Sequence, residues 1–272
     1  MTAFSLPMEK IRYSAEYFNI EDTLTCGQVF RYRRSADGSF SVFSLDKTAR
    51  LYYENGEVVI ETDHPDYFYN YFDLGANYGE IVEKLSAYDE LTEPIKFGKG
   101  IRILRQDFYE TVFSFIISAN NNITRIKNTI EKICAHYGEN MGEFYAFPTL
   151  EKFQTASVSD LRALGLGYRA EYMIASASEF NGVEKQILQN PTLCVELLKT
   201  LKGVGDKVAN CISLFSLHKT DSYPVDTWIF KANKSETLNT KEKVYAYYTA
   251  RYGEYSGFAQ QYIFHYNRKS KK

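Results

Sequence analysis

The sequence predicts an α+β fold, with an N-terminal antiparallel β-sheet domain followed by a mainly α-helical domain. Two observations carry this. Asp37-Gly38 and Asn55-Gly56 each stand between runs rich in β-branched and aromatic residues, the short-range signature of hairpins. Past residue 99 that pattern gives way to apolar positions at helical spacing, as in Val208, Cys211, Ile212, Leu214 and Phe215. The boundary is expected between residues 1–98 and 99–272, with Phe97-Gly98-Lys99-Gly100 reading as the connection.

From about Phe18 to Thr62 the pattern is strand-like: Val29–Tyr32 and Phe40–Phe43 form one hairpin, Leu51–Tyr53 and Val58–Ile60 the next. Gly27, just before the first strand, reads as a bulge or bend that tolerates close approach. The run Tyr67–Phe72 would suit base stacking but reads more simply as core packing at the join of sheet and helices.

In the helical part, Asp107 and Glu110 have capping-box spacing ahead of the apolar segment Thr111–Ser118. Asn120-Asn121-Asn122, with Thr124 and Arg125, forms a polar loop that caps the following helix. Leu164-Gly165-Leu166-Gly167-Tyr168-Arg169 is a glycine-rich helix junction. In the last helix, beginning near Ser256, Gln260 and Phe264 are four apart and share a face. An amide beside an aromatic plane suits a nucleobase, and equally suits an ordinary helix core.

The most informative stretch is Leu201–Asp226. Gly203-Val204-Gly205 joins two helical segments, and the start of the second helix offers outward N–H groups and the positive end of the macrodipole. That is a cradle for a phosphate, although a glycine pair alone also serves as a plain helix connection. Lys207 stands in the first turn of the second helix, where the dipole and an apolar wall would favour the neutral, nucleophilic amine. A solvated lysine on a phosphate is the other reading. After Tyr223-Pro224-Val225, Asp226 is placed as a helix N-cap, able to face positive charge.

Composition sets outer bounds. With 272 residues, 44% hydrophobic and 24% charged, the chain can bury a substantial core. No apolar run is long enough for a membrane span, and the N-terminal segment from Met1 to Phe18 lacks the apolar core of a signal peptide, so a cytoplasmic location is expected. Cys26, Cys134, Cys194 and Cys211 are scattered, which argues against a disulfide framework, a zinc site or an iron-sulfur cluster and for core filling. The net charge of −2 requires any nucleic-acid surface to be locally basic; the tail Asn267–Lys272 is one such stretch.

LKGVGDKVANC followed by PVDTW resembles the helix-hairpin-helix and Gly/Pro-Asp signature of base-excision DNA glycosylases (the HhH-GPD superfamily), in the lysine-bearing form of its bifunctional members. FSFIISANNNITRI, LGLGYRA and the motif around Gly27 narrow the resemblance to 8-oxoguanine DNA glycosylases, from about Leu24 to Phe264. The resemblance implies catalytic roles for Lys207 and Asp226, and a base pocket of Gly27, Cys211, Gln260 and Phe264. It implies that the Gly27 carbonyl accepts from N7–H of the oxidised base. It implies that Asn120 fills the gap in the duplex, that Arg125, Tyr168 and Arg169 address the unpaired cytosine, and that Gly203 and Gly205 contact DNA.

The implied partner is duplex DNA containing oxidised guanine. The implied reaction is base excision followed by strand nicking through a Lys207 Schiff base, in a monomer, with no cofactor or catalytic metal; hairpin carbonyls are candidates for a structural cation. Nucleoid or nucleus would be its place. One departure is Trp228, where many relatives have histidine. A glycosylase for another damaged purine and a non-enzymatic helix-hairpin-helix DNA-binding module are the alternatives. The module needs neither Lys207 nor Asp226.

Overall fold

The computed structural model describes residues 7–270, so the first six residues and the last two lysines of the basic tail lie outside the described residues. In chain order the elements are β1 (Glu9–Ser14), α1 (Ile20–Thr25), β2 (Tyr32–Arg34), β3 (Phe40–Ser44), β4 (Lys47–Glu54), β5 (Glu57–Thr62), α2 (Pro65–Tyr71), α3 (Tyr78–Leu85) and α4 (Thr92–Gly98). There follow α5 (Phe108–Ser118), α6 (Ile123–Tyr137), α7 (Leu150–Thr155), α8 (Val158–Ala163), α9 (Arg169–Gln189), α10 (Cys194–Leu198), α11 (Asp206–Phe215), α12 (Thr227–Asn233), α13 (Lys241–Tyr252) and α14 (Ser256–Ser270). Among the described residues no helix is long and apolar enough to cross a membrane.

The five strands form one sheet in the order β1-β5-β4-β3-β2, with antiparallel pairing. The predicted Asn-Gly turn is present: Glu54 pairs with Glu57, and Asn55 and Gly56 both have positive φ, +51° and +80°. That combination gives the two-residue loop whose twist matches the strands it joins. The Asp37-Gly38 turn is longer, running from Arg34 to Phe40, and Gly38 has φ +86°. Asp37 stiffens it by accepting from the Ser39 amide at 3.0 Å and hydroxyl at 2.6 Å.

The N-terminal reading differs from the structure in two places. Tyr32–Arg34 pairs where Val29–Tyr32 was expected, and the segment before it is α1, capped by Asn19. β1 lies upstream of the expected sheet; it is an edge strand with only Ile11 and Tyr13 packed inward, too few to mark it by hydrophobic alternation.

By compactness the chain divides into a sheet-bearing unit (residues 1–43, 47–105 and 218–272) and a helical unit (residues 44–46 and 106–217). The expected linear boundary at 98/99 therefore differs from the compact units. Gly100 and the residues up to Arg105 stay within the sheet-bearing unit, where the Gly100 carbonyl accepts from Asn19 N at 2.7 Å. The C-terminal helices return to it, with α14 lying beside α4 and α12. A helix's own periodicity does not say which distant surface will cover its apolar side.

The sheet-bearing unit buries Val42, Leu51, Val58 and Ile60 against Phe18, Phe68, Tyr71 and Phe72, so the Tyr67–Phe72 run is core. Arg102 lies within this packing, fully buried. It donates to the carbonyls of Phe72 at 2.7 Å and Tyr17 at 3.3 Å and to that of Asp73, and its guanidinium lies 3.9 Å from the Tyr78 ring centroid. A buried guanidinium is tolerable only when donors are satisfied in this way.

The helical unit is organised by rings: Phe113 stacks on Phe153 at 5.1 Å and meets Phe180 at 5.7 Å. Asp107 caps α5 by accepting from Glu110 N at 2.8 Å, as its spacing predicts. The Glu110 carboxylate accepts from Leu45 N at 2.6 Å, and Phe147 N donates to the Leu45 carbonyl, which ties residues 44–46 to this unit.

His218 is largely buried in the sheet-bearing unit, with Nε2 3.5 Å from Asp73 and Nδ1 lacking a hydrogen-bond partner. Burial pushes its imidazole down to about 4, with Arg105 acting in the same direction and Asp73 against it, so the contact with Asp73 is not an ion pair at neutral pH. An unfolded imidazole titrates near about 6.5, so as pH falls the unfolded chain takes up the proton first. The associated stability is complete above about pH 6.5 and declines by up to about 3 kcal/mol on approaching pH 4. Denaturant titrations between pH 7.5 and 4.5 are expected to show this decline, and His218→Asn, which tolerates the φ of +51°, is expected to flatten it.

Candidate active site and nucleic-acid interface

In the helical unit the predicted hairpin is present between α10 and α11. The Leu198 carbonyl accepts from Leu201 N and the Leu201 carbonyl from Val204 N, both at 3.1 Å. Gly203 has φ +88°, and a Cβ there would stand 2.6 Å from Cδ2 of Tyr172. Gly205 is the N-cap of α11 with ordinary extended backbone, is exposed, and would meet nothing within 4 Å if it carried a Cβ. Lys207 lies in the first turn of α11, half-buried, with Nζ 5.2 Å from the Phe115 ring centroid. Phe115 is buried on α5 and stacks on Phe215, so the apolar wall expected beside Lys207 is aromatic. Cys211 is buried one turn further along α11, on the Lys207 side by helical spacing.

The three asparagines divide their work. Asn121 donates to the Ile117 carbonyl at 3.2 Å and closes α5, while Asn122 accepts from Arg125 N at 2.9 Å and caps α6. Asn120 is exposed, with φ +49°. Its loop is held by Arg169, only 4% exposed, which donates Nε to the Ala119 carbonyl at 2.7 Å and Nη2 to the Asn120 carbonyl at 2.9 Å. Arg169, expected at an unpaired base, thus secures the Asn120 turn here. Arg125 and Tyr168, the latter 47% exposed, face solvent.

In the sheet-bearing unit Asp226 caps α12, accepting from Ile229 N at 2.8 Å. Two residues before it, the Pro224 carbonyl accepts from Gln260 Nε2 at 3.0 Å. Tyr223 is buried in a stack with Tyr248 at 5.2 Å, which anchors the same turn. Gln260 and Asp226 are therefore mechanically linked. The Gln260 Oε1 is buried without a hydrogen-bond partner, an acceptor left open on the predicted base-reading face. Phe264 is half-buried one turn further along α14, with the Arg268 guanidinium 5.9 Å from its ring centroid. Gly27 is half-buried with φ +91°. Trp228 on α12 is 47% exposed.

Sequence reasoning missed Phe115 under Lys207, because the α5 segment is apolar throughout and marks no single residue. It also missed Gln261 and His265, whose buried polar side chains carry a signal only once α14 is known to be covered. Among the described residues no group of three or more His, Cys, Asp or Glu is placed to hold a metal ion.

Comparison with known proteins matches the chain to base-excision DNA glycosylases. The family model "8-oxoguanine DNA glycosylase, N-terminal domain" matches residues 10–112, and "HhH-GPD superfamily base excision DNA repair protein" matches residues 113–248. The chain is 32% identical over 216 residues to an N-glycosylase/DNA lyase of Arabidopsis thaliana, covering 70% of this chain but 58% of that protein, so it spans a little over half of that relative's length. It is 32% identical over 231 residues to a probable N-glycosylase/DNA lyase of Methanothermobacter thermautotrophicus, covering 73% of this chain and 72% of the other. It is also similar to the Clostridium acetobutylicum 8-oxoguanine glycosylase/lyase, whose crystal structure holds double-stranded DNA with cytosine opposite 8-oxoguanine. The TM-score is 0.88 at 37% identity, over 94% of each chain.

The two hairpin glycines separate folding from binding. Gly203→Ala adds a Cβ against Tyr172 in a left-handed backbone position and is expected to lower the melting temperature by several degrees, a loss of about 1–3 kcal/mol. Gly205→Ala has room and an allowed backbone, so its melting temperature should stay within about 1 °C of the parent. Its affinity for duplex DNA should nevertheless fall, since only an approaching backbone would meet the new methyl group. Thermal melts and fluorescence anisotropy on a labelled duplex check both.

Proposed function

The chain belongs to the 8-oxoguanine DNA glycosylase family of the HhH-GPD superfamily, and from that premise we propose that it excises 8-oxoguanine opposite cytosine from duplex DNA and then nicks the abasic strand. The observation that carries the reading is Lys207: an amine in the first turn of the helix that follows the glycine hairpin, set against the face of a buried phenylalanine. A lysine that served only a phosphate would not need to lie over an aromatic ring, whereas an amine that attacks carbon is favoured by an apolar wall.

The hairpin binds the DNA backbone through the first N–H groups of α11, and the target nucleotide leaves the stack because its glycosidic bond is inaccessible within the duplex. Asn120 occupies the gap, with Arg169 holding its loop, while Arg125 and Tyr168 address the unpaired cytosine. The base is read by the open acceptor Oε1 of Gln260 and stacked by Phe264, with Cys211 lining the pocket. Gly27 supplies the carbonyl that accepts from N7–H, a proton guanine lacks.

The Lys207 nitrogen bonds to C1′ as the bond from C1′ to N9 breaks. The base departs with that electron pair and is protonated, and the amine gives up a proton. Asp226 stabilises the positive charge that develops on the sugar. Opening of the sugar ring leaves an imine, and loss of a C2′ proton expels the 3′ phosphate, cutting the strand. The protein acts as a monomer wherever the DNA is held, the nucleoid of a prokaryote or the nucleus of a eukaryote.

Borohydride trapping on a duplex with one 8-oxoguanine opposite cytosine tests this, with undamaged and alkylated duplexes as controls. A covalent adduct is expected only with the oxidised base. Lys207→Gln is expected to abolish the adduct and to slow base release by about 1000-fold or more. An adduct on the alkylated duplex alone would reassign the substrate, and full activity in Lys207→Gln would remove the nucleophile.

A further inference from the structure

α14 carries neighbouring glutamines used in opposite ways. Gln260 is bonded to Pro224 and leaves its oxygen open, whereas Gln261 donates Nε2 to Cys26 Sγ at 3.5 Å. The residues that follow on the Gln261 side continue the attachment. His265, 2% exposed, has Nε2 3.0 Å from Asp22 Oδ1, Lys269 Nζ lies 2.7 Å from the same oxygen, and Arg268 donates to the Thr25 carbonyl at 3.2 Å. Burial alone would raise the Asp22 carboxyl; hydrogen bonds from His265 and Lys269 outweigh it and hold it below the usual range. α14 thus presents one face to the base and an adjacent polar face to the Asp22–Gln28 segment.

That segment contains Gly27, and both of its neighbours are fastened. Burial pushes the Cys26 thiol up to about 12, so it stays protonated. It donates to the Thr23 carbonyl at 3.2 Å and accepts from Gln28 Nε2 at 3.3 Å as well as from Gln261. Gln28 is fully buried; its Nε2 also reaches the Arg102 carbonyl at 2.7 Å and its Oε1 accepts from Leu104 N at 2.9 Å. The turn around Gly27 is therefore bonded to the unit's core on one side and to α14 on the other.

An apolar contact would bury α14 at least as stably, because burying His, Gln and Asp costs several kcal/mol unless each is paired. Apolar surfaces also slide by fractions of an ångström at little cost, whereas directed hydrogen bonds fix one register. Telling N7–H from a bare N7 with one carbonyl depends on that register. We propose that the polar seam of Gln261, His265 and Asp22 determines lesion specificity, by positioning the Gly27 turn relative to the Gln260 and Phe264 face of α14. These are positioning residues, and the inference rests on the base-pocket reading given above.

The test uses the full chain carrying Lys207→Gln, so that bound substrate persists, and measures Kd by anisotropy on three duplexes: 8-oxoguanine opposite cytosine, guanine opposite cytosine, and a tetrahydrofuran abasic analogue opposite cytosine. Gln261→Leu and His265→Phe are each expected to reduce the ratio of guanine to 8-oxoguanine Kd by about tenfold, equivalent to about 1.4 kcal/mol. Affinity for the abasic analogue, which has no base to read, should change by less than about twofold. Asp22→Asn, which keeps an acceptor for His265, should fall between these variants and the parent.

An unchanged ratio in variants that bind the abasic analogue normally overturns the proposal, whatever their melting temperatures. If both larger substitutions lose abasic-analogue binding through misfolding, Asp22→Asn decides by the same ratio. A Lys207→Gln parent without preference for 8-oxoguanine overturns the pocket reading itself, a result separate from failure of the seam.

Discussion

Asp73 closes the sheet-bearing unit. The chain leaves that unit after Arg105 and re-enters at His218, and the buried carboxylate of Asp73 lies at both points, bonded to Arg105 Nε at 2.6 Å and 3.5 Å from the neutral His218 Nε2. Tyr78 adds its hydroxyl at 3.2 Å, and the Asp73 carbonyl receives the guanidinium of Arg102. A buried carboxylate requires this company, since an unpaired charge in the interior costs several kcal/mol. With φ +53°, Asp73 turns the chain out of α2 so that carboxylate and carbonyl serve different partners. Everything the C-terminal segment supplies, Asp226 and Gln260 included, follows this re-entry at His218. The helical unit closes its own ends more simply, through Gln106 N on the Phe215 carbonyl at 2.8 Å.

The chemistry is divided in the same way. The helical unit carries the proposed nucleophile, the hairpin and the Asn120 loop, each fixed by contacts within that unit: Phe115 beneath Lys207, Tyr172 against Gly203, Arg169 on the Ala119 and Asn120 carbonyls. The sheet-bearing unit carries the capping carboxylate and the proposed base-reading face. Its open acceptor on Gln260 is costly in isolation, about 1–3 kcal/mol for a buried group without a partner. In the proposed complex the N–H donors on the Watson–Crick edge of the base relieve that cost, while the distinction from guanine is left to N7–H and the Gly27 carbonyl.

Much of this was legible in the sequence, for reasons that differ by element. Asn55-Gly56 encodes its turn because two positive φ values are needed there and those residues adopt them readily. The caps at Asp107, Asn122 and Asp226 are legible because a cap bonds an amide two or three residues away. β1 was not, because an edge strand with two inward residues has hardly any pattern to read. The resemblance carried by LGLGYRA placed Arg169 beside an unpaired base, but only the folded chain sets its guanidinium on the loop carbonyls.

By itself the sequence determined the local devices: the hairpin turns, the helix caps, the glycine hairpin before Lys207, and through them the family. These follow from backbone geometry and hydrogen bonds spanning a few residues, which neighbouring side chains decide. Tertiary structure alone decided that the C-terminal helices belong to the same compact unit as the N-terminal sheet, that Phe115 is the ring beneath Lys207, and that Gln261 reaches Cys26 across 235 residues of chain. Such pairings depend on which surfaces exclude water together. No local pattern of residues records that choice.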